Sequence, residues 1–257
     1  MNRIALLSGI FIVALMTGGC ASSSSELSGG VRTKEIYEWR IYTLTGDSAA
    51  PDEYFRTVLI PAYNRLGAKV GAFKPYRTEA TPSRYLLFVY PDVHTYYKAK
   101  KEIWNDEVFR KDAQPYFDFT AVRPPYVDFV SYLCEAFDKI PQMRQPDKER
   151  TLFEFRLYHS PNEEANQRKI KMFNKDEIDI FDKTGIHSVC YGEIIAGANM
   201  PALIYLTWYR DEPTRNEAWS RFVNHEDWNR IRILPEYAHT ATNNQSRLLS
   251  PLPYSQF

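Results

Sequence analysis

The sequence lacks an excess of charge of either sign. Its 32 Lys and Arg residues equal its 32 Asp and Glu residues, so the formal net charge at pH 7 is zero. A neutral chain has no overall field that would draw it to nucleic acid or to an anionic membrane surface. We therefore expect no nucleic-acid partner.

Motifs of several enzyme classes are absent as well. The sequence has no Gly-rich phosphate loop, no dinucleotide fingerprint and no Gly-x-Ser-x-Gly elbow that would make a nucleophile of a serine. His225 is followed by two acidic residues, but acidic residues at this point favour the start of a helix. We expect no metal site there, and the sequence predicts no cofactor.

The N-terminal apolar run is too short to span a bilayer as a helix. It covers residues 4–16, whereas a spanning helix needs about 20 residues. Arg3 precedes the run, and small residues end it before Cys20, which is typical of an export signal. The ending resembles the lipobox of bacterial lipoproteins, which implies that Cys20 is lipidated. Thr17 replaces the commoner Leu, so simple cleavage of the signal stays open.

We therefore expect residues 1–20 to be a lipoprotein signal peptide. Residues 21–34 are rich in Ser and Gly and are predicted to form a flexible tether. Ala21 after the cysteine resembles lipoproteins that are sorted to the outer membrane. The expected location is thus the outer membrane, facing the periplasm, with the N-terminal lipid as the only contact with the membrane.

Cysteine is otherwise scarce, since only Cys134 and Cys190 follow Cys20. An exported compartment would allow a disulfide between them. Two cysteines in separate apolar, strand-like stretches are more often small buried hydrophobic residues.

One short pattern occurs twice. Residues 37–42 read Tyr-Glu-Trp-Arg-Ile-Tyr, and residues 153–158 read Phe-Glu-Phe-Arg-Leu-Tyr. A period of two predicts a strand with two different faces. Two predicted helices also end alike, at Gly67 and Gly185. Because such landmarks return in order, we infer an internal duplication.

Each half is predicted to have the element order βαββαβ. The first half spans residues 35–137, a polar linker spans 138–150, and the second half spans 151–257. Two such units each leave one sheet face without helices, and packing the sheets together covers both faces. The sequence therefore predicts an α+β fold in which two repeats form a pseudo-dimeric α/β barrel.

The duplicated strands resemble the Glu-Leu-Arg-Thr-Tyr opening of NIPSNAP family domains. Further matches lie in the second half, namely Gln167-Arg168-Lys169, Met200-Pro201, Ala218-Trp219 and Pro253-Tyr254-Ser255-Gln256. The resemblance implies tandem ferredoxin-like domains of the dimeric α/β-barrel superfamily. The family has no generally established reaction. The wider superfamily includes cofactor-free monooxygenases, isomerases and haem-handling enzymes, so the fold alone implies none of them.

The duplicated strands carry most of the candidate binding residues. We expect Tyr37, Trp39 and Ile41 to pack beneath the helices, which would point the alternate residues into the space between the sheets. His187 and Glu193 share one face of another predicted strand and are expected to reach the same cavity. The ligand-binding candidates are Glu38, Arg40, Tyr42, Glu154, Arg156, Tyr158, His187 and Glu193.

Two interpretations of these residues stay open. In the first, arginines bind an anionic ligand, a desolvated glutamate takes or gives a proton, and tyrosines orient the ligand. In the second, the Glu-Arg pairs form a satisfied network that locks the two repeats together. His187 is either a general base or haem ligand, or a hydrogen-bonded strand histidine. The sequence identifies no catalytic residue.

Two functions follow from these interpretations. The first is a NIPSNAP-like envelope lipoprotein that binds a small ligand or a protein partner. The alternative is a cofactor-independent enzyme of monooxygenase or isomerase type, acting on a small aromatic or acidic compound in the inter-sheet cavity. The sequence leaves a homo-oligomer open.

Overall fold

The computed structural model describes residues 33–118, 124 and 126–257. The predicted signal peptide, Cys20 and most of the predicted tether lie outside these residues. Within the described part of the chain, no helix combines the length and the apolar character that crossing a membrane requires.

In the first half of the chain, the described residues form four strands and four α-helices. The strands are β1 (Ile36–Leu44), β2 (Lys69–Pro75), β3 (Ser83–Tyr90) and β4 (Tyr126–Ala136). The helices are α1 (Ala49–Tyr54), α2 (Ile60–Arg65), α3 (Val93–Glu102) and α4 (Glu107–Phe117). A π-helical turn, Phe55–Leu59, joins α1 to α2. The sequence predicts a kink or break near Pro61, and this wide turn lies just before that residue.

The second half has the same order of elements. Its strands are β5 (Leu152–His159), β6 (His187–Ala196), β7 (Ala202–Tyr209) and β8 (Asn243–Pro251). Its helices are α5 (Glu163–Met172), α6 (Ile178–Thr184), α7 (Glu212–Asn224) and α8 (Glu226–Ile231). A π-helical turn, Phe173–Glu177, joins α5 to α6.

Local signals explain where the helices begin and end. Asp92, Asp106 and Asp211 each accept a hydrogen bond from a backbone N–H in the first turn of the helix that follows. This satisfies a donor that has no partner inside the helix. Gly67 and Gly185 follow α2 and α6 with φ of 90° and 85°. A residue with a Cβ disfavours this left-handed conformation, which is why glycine ends both helices.

All eight strands form one closed antiparallel barrel in the order β1-β3-β2-β8-β5-β7-β6-β4. Within each half the strands pair along most of their length. Between the halves the pairing is short, joining residues 73–75 to 249–251 and residues 133–136 to 192–196. The predicted mixed fold with a barrel-like sheet is confirmed.

The interior of the barrel is filled by apolar side chains from both halves. Trp39 of β1 meets Phe155 of β5 edge to face at 4.9 Å between ring centroids. Phe73 of β2 meets Phe153 in the same way, also at 4.9 Å. Eight-stranded barrels are just wide enough for side chains to fill them. The two halves therefore share one core at the centre of the barrel.

The expectation that the face of Tyr37, Trp39 and Ile41 lies beneath the helices is wrong. Tyr37 and Trp39 are buried inside the barrel, and Ile41 packs against the same interior cluster. The charged face of β1 lies outside, under the helices. A barrel interior offers an ion few partners, whereas helices bring their own polar side chains to a buried charge.

Segments outside the strands complete both junctions between the halves. Phe257 is fully buried inside the barrel beside Gly71, where an added Cβ would lie 2.3 Å from the Phe257 ring. On the same edge, the side chains of Ser255 and Gln256 accept hydrogen bonds from the backbone of β2. At the other junction, backbone N–H groups of residues 137 and 144 donate to β6.

Candidate functional site

The structure separates the candidate residues into two clusters on the outside of the barrel. Glu38, Arg40 and Tyr42 of β1 lie under the helices of the first half, where Tyr42 joins that half's helical core. The corresponding residues of β5 lie under the helices of the second half. The expectation that the two sets face each other across one inter-sheet cavity is therefore wrong.

In the first cluster, Glu38 and Arg40 form a buried two-point ion pair. The Arg40 Nε and Nη2 atoms donate to the two oxygens of Glu38 at 2.8 and 2.9 Å, and Nη2 also donates to the Tyr63 hydroxyl. Tyr90 donates to Glu38 at 3.1 Å. Lys100 of α3 lies 3.4 Å from the same carboxylate. Burial alone would raise the pKa of Glu38, but the charge of Arg40 and the hydrogen bonds lower it.

The second cluster surrounds Glu154, which is completely buried. Arg156 donates to it at 2.7 Å, and Arg215 of α7 donates to both of its oxygens at 2.9 and 2.7 Å. The Trp219 indole and the Ser246 hydroxyl each donate at 2.8 Å. With this many donors the carboxylate is fully satisfied, but every donor belongs to the second half, so this cluster does not lock the two halves together.

Charge on Glu154 should stabilise the fold only above acidic pH. Burial alone would raise its pKa, but the hydrogen bond from Arg215 and the charges of Arg156 and Arg215 lower it below the ordinary 4.5. The folded pKa then lies below the unfolded one, so the stabilisation is present above about pH 4.5 and is lost as the pH falls through the folded pKa.

We therefore expect the difference in unfolding free energy between the wild type and Glu154→Gln to be constant above about pH 6 and to shrink below about pH 4.5. Urea denaturation between pH 3 and 7 measures this difference. Other carboxylates titrate in both proteins and cancel in the comparison. A difference that stays constant down to pH 3 would contradict the assignment.

A cavity of about 200 Å³ adjoins the first cluster. Its walls include Arg40, Tyr42, Tyr63, Lys100, Trp104 and Tyr116, and we call it the Arg40 pocket. Further aromatic rings from α4 and β4 complete the walls. The pocket therefore combines two cations with aromatic surfaces and phenol groups.

The cavity exists partly because Lys100 is smaller than its counterpart in the second half. In both halves the helix after the third strand sends a side chain to the buried carboxylate from the same aligned position, Lys100 from α3 and Trp219 from α7. The Trp219 ring packs over Arg156, with 4.4 Å between the ring centroid and the guanidinium carbon. The Lys100 side chain is thinner than the Trp219 ring and 42% exposed, and it lines the Arg40 pocket while its ammonium lies 3.4 Å from Glu38.

The electrostatics of the Arg40 pocket favour binding over proton transfer. Burial raises the pKa values of Tyr42 and Tyr54, so both phenols stay protonated and can donate hydrogen bonds at neutral pH. Glu38 is held as the carboxylate by its donors and is a poor proton donor. Lys100 makes one long bond to Glu38 within the described part of the chain and has three donors in all. An anionic ligand could accept the others.

The expectation that His187 and Glu193 reach the same cavity is wrong. A β-bulge between Ser188 and Cys190 interrupts the alternation of side chains along β6. His187 is exposed and stacks on Trp208 at 4.3 Å. Glu193 lies on the outer face, where Gln167 donates to it at 2.6 Å.

The two cysteines and His225 have structural positions. Cys134 and Cys190 are buried free thiols and are not joined by a disulfide. The His225 side chain accepts a hydrogen bond from the backbone of Asp227 and so begins α8. The described residues hold no group of three or more His, Cys, Asp or Glu side chains placed to bind a metal ion.

Sequence reasoning missed several residues that line the Arg40 pocket, above all Lys100. One signal could have found it. Lys100 and Trp219 are 119 residues apart, the same spacing that separates Asp92 from Asp211. Aligning the two halves places a flexible cation in the first where the second has a bulky ring.

Comparison with solved structures shows the fold. A candidate monooxygenase from Fusobacterium nucleatum is 10% identical, with 86% of this chain and 93% of that chain covered and a TM-score of 0.54. A second candidate monooxygenase, from Lactobacillus acidophilus NCFM, is also 10% identical, with coverage of 85% and 94% and a TM-score of 0.54. At this identity the likeness extends to the fold alone.

Two further matches cover less than half of the chain. A NIPSNAP family protein from Agrobacterium tumefaciens is 17% identical, with 42% of this chain and 98% of that chain covered and a TM-score of 0.38. A search of curated proteins found no match. The model of the NIPSNAP family matches residues 153–256, so this part of the chain is similar to NIPSNAP domains.

Proposed function

We propose that this protein is an envelope lipoprotein that binds a small aromatic acid in the Arg40 pocket. The observation that carries the proposal is the position of Lys100, which lines an aromatic-walled cavity beside the Glu38–Arg40 ion pair. Its ammonium makes one bond of 3.4 Å to Glu38, whose oxygens already accept two shorter bonds from Arg40, so further donors remain for a ligand. The ligand group that Lys100 would bind is a carboxylate or a phenolate.

The walls and volume of the pocket limit the rest of the ligand. Aromatic rings of Tyr63, Trp104 and Tyr116 offer faces against which a flat ring packs well. Sites for drug-sized ligands measure about 300 to 1,000 Å³, and this pocket is smaller. A single ring that carries one acidic group fits both limits.

The proposal includes a tandem ferredoxin-like repeat. Supporting observations are the matching strand order of the halves and the paired π-helical turns. The register supports it as well, since Ile36 pairs with Tyr90 as Leu152 pairs with Tyr209. The first half would then be a second domain of the same kind, with a pocket where its counterpart has Trp219.

Export and lipid anchoring rest on residues 1–34 and belong to the same proposal. We expect the protein to fractionate with the outer membrane, and the Cys20→Ser variant to be released into the soluble periplasm. Mass spectrometry of the N-terminal peptide measures the lipid directly. An unmodified Cys20 on a soluble protein would contradict the anchoring without affecting the ligand proposal.

The filled barrel argues against the enzymatic alternative. Trp39, Phe73 and Phe155 occupy the space between the two halves in which a substrate was expected. The candidate monooxygenases share the fold at 10% identity, which carries no reaction to this chain. Binding on the helical side of the sheet therefore explains the geometry better than turnover between the sheets.

Thermal shift with simple probes tests the binding proposal. We expect benzoate and 4-hydroxybenzoate each to stabilise the protein by about 2.7 kcal/mol at 100 times the dissociation constant. Benzyl alcohol should stabilise the protein less. Phenols, lactones and haem complete the panel. Lys100→Met should weaken binding of the acids about tenfold or more, because it removes a charged hydrogen-bond donor.

The matched control is Lys101→Met, which removes an exposed lysine from the same helix. It should bind the acids like the wild type. Lys100→Met keeps the Glu38–Arg40 pair, so the fold should survive. Equal binding by both variants, or no stabilisation by any probe, would refute the proposal.

A further inference from the structure

A second cavity adjoins the Arg40 pocket. It measures about 390 Å³ and is a groove between the α1 region and α4, with walls that include Ala50, Thr57, Val58 and Pro115. Tyr54 and Tyr116 line both cavities. The groove and the pocket therefore meet at these two side chains.

The two tyrosines form a single stacked pair. Their rings lie 3.8 Å apart between centroids with 4° between the ring planes. Tyr54 ends α1 and Tyr116 lies near the end of α4, so the pair joins two separate elements. The wall between pocket and groove is thus made of side chains from two helices.

Both helices have irregular backbone at this wall. Pro115 lies inside α4 directly before Tyr116, and a proline removes one backbone hydrogen bond from the preceding turn. Tyr54 directly precedes the π-helical turn, a form of backbone that is frequent at functional sites. Neighbouring residues of that turn line different cavities, Val58 the groove and Leu59 the pocket.

We propose that the groove is a second subsite for the same ligand, which is an aromatic acid with a hydrocarbon chain. This inference rests on the proposed function. The acidic group and ring lie at Lys100, and the chain passes the Tyr54–Tyr116 pair into the groove. Together the two cavities reach the size range of pockets that bury a drug-sized ligand, about 300 to 1,000 Å³.

The chemistry of the groove specifies an uncharged chain. Five of its eight lining residues are apolar or aromatic, namely Ala50, Val58, Pro115 and the two tyrosines. Glu53 and Asp112 stand at its exposed edge and would repel a second acidic group. The ligand therefore carries its charge at one end only.

A series of 4-alkylbenzoates tests this inference on the full protein. Affinity is measured by isothermal titration calorimetry for chains from ethyl to octyl, below their micelle-forming concentrations. Burying one CH₂ group contributes about 0.8 kcal/mol, so affinity should rise about three- to fourfold per added carbon until the groove is full.

Thr57→Trp fills the groove without touching the Arg40 pocket. This variant should bind benzoate within about twofold of the wild type and lose the gain from the longer chains. Lys111→Trp places the same ring on an exposed position of α4 that does not line the groove, and it should keep the gain. Circular dichroism confirms that both variants are folded.

The outcomes separate this inference from the proposed function. Benzoate binding that depends on Lys100 but gains nothing from longer chains would overturn the inference alone, as would a gain that survives Thr57→Trp. A long-chain acid that binds equally well to Lys100→Met would overturn the shared site. Failure of every chain length to bind would overturn both proposals.

Discussion

Replacing Glu154 with Ala should lower the free energy of unfolding by about 3 to 5 kcal/mol. The carboxylate is completely buried and accepts hydrogen bonds from Arg156, Arg215, Trp219 and Ser246. Its removal leaves the mostly buried Arg156 without its counter-ion, and that uncompensated charge is the main cost. Urea denaturation at pH 7 measures the change.

The control is Glu217→Ala, which removes an exposed glutamate from α7, the helix that carries Arg215. Surface substitutions of this kind change stability by about 0.5 kcal/mol or less. Glu154→Gln should fall between the two, because an amide still accepts some of the hydrogen bonds. A loss below about 1 kcal/mol for Glu154→Ala would show that the cluster does not hold the second half together.

Replacing Trp39 with Ala should cost a similar amount, about 3 to 5 kcal/mol. The ring is 1% exposed and lies at the centre of the barrel, 4.9 Å from Phe155 and 6.4 Å from Phe73. Truncation removes apolar burial and leaves a cavity between the two halves that neighbouring strands cannot close. Denaturation followed by both tryptophan fluorescence and circular dichroism measures the loss.

The matched control is Trp104→Ala, because Trp104 is 58% exposed at the mouth of the Arg40 pocket. It should change stability by less than about 1 kcal/mol while weakening ligand binding. Trp39→Ala should do the reverse and leave benzoate affinity nearly unchanged. Two separate unfolding transitions in Trp39→Ala would indicate that the halves are coupled through this core.

Local signals made much of the fold predictable. A period of two in residues 37–42 and 153–158 predicts strands, and both segments lie within β1 and β5. Gly67 and Gly185 mark helix ends because the left-handed backbone that follows a helix disfavours a Cβ. These signals depend on a few neighbouring residues, so one sequence is enough to find them.

The direction of the strand faces could not be predicted in the same way. Alternation separates Trp39 from Arg40 but does not say which side the helices cover. Trp39 is apolar enough to pack either inside the barrel or under the helices. Arg40 lies on the helical side of the sheet, where the hydroxyl of Tyr63, 23 residues away on α2, accepts a hydrogen bond from it.

The site depends still more on distant residues. The pocket forms where β1 and β4 meet the helical segments 54–63 and 100–104 and α4. The residue that distinguishes it is Lys100 on α3. The bulge after Ser188 moved Glu193 away from His187 without any marker in the sequence of β6. Such features arise from packing between elements, which the pattern of one chain does not encode locally.

The contacts of residues 255–257 with β2 have a consequence for the order of events during synthesis. Backbone N–H groups of Val70 and Ala72 obtain their partners from Gln256 and Ser255, which leave the ribosome more than 180 residues later. Until then the first half holds an open strand edge and an unfilled space beside Gly71. The contacts that complete this edge of the barrel can therefore form only after residues 255–257 have been synthesised.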